Sequence, residues 1–247
     1  MTSARVVSIS HLGPQLDNHY ALAALAPYVA EGLPVHVHLS EQVQENRDCL
    51  ARHGLTPTGL LAEHGLLGPM TSAVHATHLT EEDIALLGAA GCYASFCPTT
   101  ERDLGDGIGP SRALLDAGAR LTLGSDSHAI IDAFEEMRAL ELDERLATQQ
   151  RGHWSAAELL TAATEDGQRS LGFADAGRIA VGYRADLVTI DTESMRTAGT
   201  GAGAHTAVFA AAGADVTQVM VDGRVVFGGD HAGVGRDLGE AIGRIWS

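Results

Sequence analysis

The chain has 247 residues, enough for one large domain, and 45% of them are hydrophobic, so a sizeable core can form. Thirty-two acidic residues against 16 basic ones give a formal net charge of −16 with no basic stripe, which argues against nucleic acid or an anionic membrane as partner. Every basic residue is arginine, so a Schiff-base lysine, a carboxylated bridging lysine and a P-loop lysine are excluded within these residues.

Residues 1–20 hold no apolar stretch of the kind a secretion signal needs, and the apolar run 20–30 is too short to span a membrane. A strand is expected at 34–39, where Val35, Val37 and Leu39 alternate with His36 and His38. A helix follows at 41–53, stopped by Gly54, and a shorter one at 58–66. The next strand spans 72–76. Thr80 and Asp83 approximate a capping box, opening a helix that runs to residue 90 and is closed by Gly91. A third strand at 92–97 is stopped by Pro98, and a glycine-rich loop occupies 104–110. A helix at 111–117 ends at Gly118, a fourth strand spans 120–123, and a long helix fills 130–149. Ser155 and Glu158 form a full capping-box pattern for a helix reaching 164. This β–α alternation predicts a parallel sheet or barrel.

Near Gly177 the pattern changes. Short strands are expected at 186–190, 216–221 and 224–227, with Asp222 and Gly223 as a type I′ hairpin turn between the last two. Residues 197–204 read as a loop and 237–246 as a closing helix, so a small β domain is predicted. The three cysteines, Cys49, Cys92 and Cys97, are odd in number and form no CxxC pair, which fits a reducing cytoplasm.

His36 and His38 share one face of their strand, the interior if the sheet is a barrel. His38 is then nearest the mouth, with Glu41 just beyond it. Imidazole suits zinc, and a neighbouring carboxylate suits proton transfer. Singly, each group has a plainer reading. The histidine pair reads as satisfied interior side chains, His75 as a hydrogen-bonded loop residue, and Asp126 as a helix N-cap. Together they are more telling. One βα unit separates His38 from His75, and two separate His75 from Asp126. Three strand ends therefore converge on one cavity, as in barrel enzymes, and a metal-dependent hydrolase using a small-molecule substrate is expected.

These segments resemble the amidohydrolase superfamily. His38-Leu39-Ser40-Glu41 resembles its fifth-strand motif, implying His38 as a zinc ligand and Glu41 as proton shuttle. Val74-His75-Ala76-Thr77-His78 resembles the sixth-strand motif, implying that His75 polarises substrate or water, with His78 outside the site. Gly124-Ser125-Asp126-Ser127-His128 resembles the eighth-strand motif, implying Asp126 as metal ligand and base. The strings at 177–188 and 219–224 are similar to the superfamily's β-sandwich. The longer strings PVHVHLSEQ (34–42), CPTTERDLGDGIGP (97–110) and LGSDSHAIIDAFEEMRALE (123–141) look like the formimidoylglutamate deiminases of histidine breakdown. The implied reaction is zinc-dependent deimination of N-formimidoyl-L-glutamate to N-formyl-L-glutamate and ammonia. Alternatives are a deaminase acting on a nucleobase-like compound, or an inactive fragment.

The resemblance implies an α/β fold, a partial (β/α)8 barrel of TIM type holding strands 5 to 8, followed by part of a small β-sandwich. The expected divisions are an atypical segment 1–31, the half-barrel 32–176 and the sandwich portion with its helix, 177–247. The family's first-strand DxHxH motif, which supplies two zinc ligands, is not found, so a truncated or frame-shifted gene is expected. His11 and His19 are nearby in sequence, but nothing brings them to the mouth. Where the family has a substrate-contacting arginine, residues 10–15 have none. Arg102 is a candidate for the substrate carboxylates or for a surface role. Exposed edges of a half-barrel leave a homodimer as a further expectation.

Overall fold

The computed structural model describes residues 7–9, 18–127 and 130–246. The side chains of residues 7–9 and 18–21 lie outside that description, as do residues 10–15 and His128, which the sequence reading singled out.

Alternation in the second strand sets the layers. In β2 (Val35–Leu39), Val35, Val37 and Leu39 are fully buried while His36 and His38 are half-buried on the opposite face. Val37 and Leu39 join Cys49 of α2 (Val43–His53), Leu60 of α3 (Pro57–Glu63) and Leu87 of α4 (Glu81–Ala89) in one core cluster. The sheet continues through β3 (Thr71–His75), β4 (Tyr93–Phe96) and β5 (Arg120–Leu123), every pairing parallel and in chain order. All the strands therefore end on the same edge of the sheet.

Residues 1–31 contribute more than the sequence suggested. β1 (Val7–Ile9) pairs parallel with β2, giving five strands where four were expected, and the apolar run after it forms α1 (Asn18–Ala30). Three residues are too few to display a strand period.

Local signals explain most boundaries. Thr80 and Asp83 do form a capping box, an aspartate serving where glutamate is usual, and Ser155 and Glu158 form another at α8 (Ala156–Thr161). Pro98 begins a helix, α5 (Pro98–Leu104), as well as ending β4, because its fixed φ and missing N–H suit a first helical turn. After α6 (Ser111–Ala117) and β5, Asp132 caps α7 (Ala133–Thr148), which starts later than predicted. A π-helical turn, Ala162–Asp166, links α8 to α9 (Gly167–Ser170).

Helices α4 and α6 cross where neither has room for a side chain. A methyl group on Gly88 would overlap the carbonyl oxygen of Ala117, which is backbone. Gly88→Ala is expected to cost about 1–3 kcal/mol through overpacking, despite alanine's better helix propensity. Urea unfolding reads this directly, and an unchanged midpoint would mean that the helices part without cost.

The second sheet is antiparallel, ordered β6 (Leu187–Ile190), β7 (Val216–Val221), β8 (Arg224–Phe227). Asp222 and Gly223 both have positive φ, 49° and 76°, as a type I′ turn requires. The final helix, α10 (His231–Trp246), begins six residues before the predicted 237 and carries exposed Val234, Leu238 and Ile242 at four-residue spacing. No helix among the described residues is long and apolar enough to cross a membrane.

Asp215 anchors this region. Its buried carboxylate takes Nε and Nη2 of Arg196 at 2.8 and 2.7 Å and the N–H of Ala212 at 2.9 Å. The Arg196 guanidinium holds that carboxyl well below the usual carboxylate range. A depressed folded-state value stabilises the fold above the unfolded value, about 3.9, and the contribution is lost as pH falls towards the folded value. Asp215→Asn is therefore expected to lower stability at neutral pH, with the gap to the parent narrowing below about pH 4. Denaturant titrations at the two pH values check this; a constant gap would assign the effect to packing.

Candidate active site at the ends of the parallel strands

β2, β3 and β5 bring Glu41, His75 and Asp126 to the edge of the sheet where these strands end, and the backbone there is unusual. Among the described residues, six other than glycine have positive φ: Ser40, His75, Ala76, Asp126, Gln149 and Asp222. Gln149 caps a helix and Asp222 sits in the hairpin turn, ordinary places for that conformation. The other four lie at the ends of β2, β3 and β5. Such strain persists where surrounding structure holds it, and it concentrates at functional sites.

His75 is the centre. It is fully buried, and its Nε2 makes no hydrogen bond among the described residues. Glu41 Oε1 lies 3.7 Å from that nitrogen and Asp126 Oδ2 3.8 Å. On the other side of the ring, Nδ1 lies 3.4 Å from Glu101 Oε1. The His38 ring is 5.4 Å away, centroid to centroid. Burial draws the His75 imidazole down. The Glu101 bond and the charges of Glu41, Glu101 and Asp126 outweigh it, so its pKa is raised.

The loops are tied to one another. The N–H of Glu41 donates to Glu45 at 3.0 Å, and the N–H of His78 donates to the Ser40 carbonyl at 2.9 Å. Thr100 donates to the Ser125 carbonyl at 2.9 Å and accepts from the Ser127 N–H at 3.0 Å, pinning the Asp126 loop to α5. Thr99 in turn gives its N–H and hydroxyl to Glu136 of α7. The glycine-rich loop closes over the ends of β3 and β4. A side chain on Gly109 would run into the Phe96 ring, so only glycine lets this loop approach so closely.

His38, Glu41, His75 and Asp126, picked from the sequence, thus come together. His36 does not join them. It bonds the Ser170 carbonyl at 3.1 Å, and burial lowers its pKa. Arg102, a candidate for either role, pairs with Glu135 and Asp143 of α7. His11 and the side chain of His19 fall outside the described residues. Sequence reasoning missed Thr100 and Glu101. Both stand in a string it had singled out, but with Pro98 read only as a stop, no helical turn was there to direct them inward.

Two imidazoles and two carboxylates are donors that suit a divalent ion of the zinc type, and an orphaned buried Nε2 facing two acids fits a cation between them. Among the described residues, no three such groups are grouped closely enough to hold an ion by themselves.

The amidohydrolase family model matches residues 2–226. A formimidoylglutamate deiminase from Pseudomonas aeruginosa is 38% identical over 213 residues, covering 82% of this chain and 47% of the relative. A 5′-deoxyadenosine deaminase from Methanoregula boonei is 36% identical over 218 residues, covering 86% and 49%. A crystal structure of a Xanthomonas campestris adenosine deaminase with bound zinc superposes with a TM-score of 0.85 at 29% identity, covering 97% of this chain and 56% of that one. The chain spans about half the length of the curated relatives it matches.

Proposed function

The chain belongs to the amidohydrolase family, and we propose that its parallel sheet is part of a (β/α)8 barrel. The barrel mouth would carry out hydrolytic deimination of N-formimidoyl-L-glutamate, with the antiparallel sheet belonging to a small β-sandwich. The observation that carries this reading is the buried Nε2 of His75, without a hydrogen bond among the described residues and faced by the Glu41 and Asp126 carboxylates. Hydrolytic removal of ammonia needs one group to take a proton from water and one to give a proton to nitrogen. Two acids facing one imidazole nitrogen meet that need.

His38 and Asp126 would hold zinc. When bound, zinc supplies Lewis acidity that brings the pKa of a water to about 7. Asp126 would take a proton from the water that adds to the formimidoyl carbon. His75 offsets the charge that develops there. Glu41 would pass that proton, and then the proton of the added hydroxyl, to the departing nitrogen, so that its bond to carbon breaks, ammonia leaves and N-formyl-L-glutamate remains.

The substrate is supported by the Pseudomonas relative. The 36% identical 5′-deoxyadenosine deaminase supports a second reading, a nucleoside substrate at the same site. Ammonia release from the zinc-supplied chain decides between them. Release from N-formimidoyl-L-glutamate is expected. Release from 5′-deoxyadenosine alone would replace the substrate, and release from neither would remove the deaminase reading for this chain.

A further inference from the structure

We infer that Glu101 is a positioning residue. Its carboxylate accepts the Nδ1 proton of His75 and so turns Nε2 towards Glu41 and Asp126. The inference rests on the proposed reading of His75 as an active-site group.

Glu101 is buried, and a buried carboxylate is costly unless its oxygens are paired. Among the described residues two groups reach it, both at Oε1: the Cys97 N–H, which donates at 2.8 Å, and His75 Nδ1 at 3.4 Å. The first is a helix-cap contact that a neutral side chain would make as well. Burial pushes the Glu101 carboxyl up, and of the two bonds that draw it back towards the charged form the one to His75 is the stronger. A carboxylate only accepts, so the nitrogen facing it carries the proton. The ring's other nitrogen then points where the site needs it.

The anchoring also fits the backbone. His75 stands at a φ of 67°, a conformation that a residue with a Cβ adopts at a cost. Glu101 reaches it from the first turns of α5, fixed to the end of β4 through Cys97. The adjacent Thr100 fixes the Asp126 loop through Ser125 and Ser127. One helical turn thereby sets the imidazole and one of the carboxylates it faces.

Nitrogen chemical shifts of the His75 ring test this in the chain freed of metal, with the resonance assigned by its loss in His75→Gln. Spectra are taken at a pH where the ring is neutral. In the parent, Nδ1 is expected in the protonated class and Nε2 in the unprotonated class. Glu101→Ala should shift the proton towards Nε2. Glu101→Gln should keep it on Nδ1, because its carbonyl oxygen can take the carboxylate's place. An unprotonated Nδ1 in the parent, or ring shifts unmoved in Glu101→Ala, would overturn the inference. The parent spectrum alone decides if Glu101→Ala does not fold. In an active enzyme, Glu101→Ala should lower kcat about 10- to 100-fold with KM little changed. The spectra need neither zinc nor turnover, so a chain that releases no ammonia fails the deaminase reading while the ring shifts still judge Glu101.

Discussion

Glu41→Gln is expected to stop ammonia release while leaving bound zinc in place. Glu41 lies two residues past the end of β2, beyond the left-handed Ser40, with its side chain nearly closed off from solvent. Its backbone N–H holds the loop to Glu45, and glutamine keeps that N–H. Glutamine also keeps the size of the side chain, so the neighbours of His75 should not move. What it lacks is a proton to carry and a charge to accept one. Positioned acid–base groups contribute about 10²–10⁴ in rate, so kcat should fall at least that far on this assignment. Zinc content and the unfolding midpoint serve as controls. A variant retaining about a tenth or more of the parental rate would take Glu41 off the proton path. Loss of zinc together with activity would make it a ligand instead.

The candidate site was legible where the sequence marks it twice. His38, His75 and Asp126 each follow or end an apolar run, and one and then two βα units separate them, so the strand pattern and the chemistry agree. Glu101 carries one mark only. Its distance from Pro98 gains meaning once α5 is known to begin there, and Pro98 signals a strand end as well as a helix start. The left-handed backbones of Ser40, His75, Ala76 and Asp126 are hardly legible, since none is glycine or asparagine and the tolerance of aspartate and histidine for that conformation is too common a property to mark these two positions. The strain belongs to the assembled loops. β1 escaped notice for want of length, although its neighbour β2 was plain from five alternating residues. The capping boxes at Thr80 and Ser155 show the opposite case, where a helix start is written within four residues and needs no tertiary context.

Asp126→Asn should remove activity and zinc together, which separates Asp126 from Glu41. The backbone at Asp126 has a φ of 46°, and asparagine is at ease in that conformation, so the loop that Thr100 holds through Ser125 and Ser127 should keep its shape. Asparagine is also nearly the same size. The change therefore isolates the negative charge, which the proposed reading uses twice, once to hold a dication and once to accept the proton of the attacking water. An amide oxygen is a weaker ligand for zinc than a carboxylate and cannot accept a proton near neutral pH. Zinc affinity should fall, and kcat should drop on the order of 100-fold or more even when zinc is added in excess. Titration with a zinc indicator, followed by ammonia release at saturating zinc, keeps the two losses apart. Unchanged zinc affinity with lost turnover would leave Asp126 as a base alone and shift the metal towards His38 and His75. Unchanged turnover would detach Asp126 from the chemistry and leave its strained backbone without a functional cause.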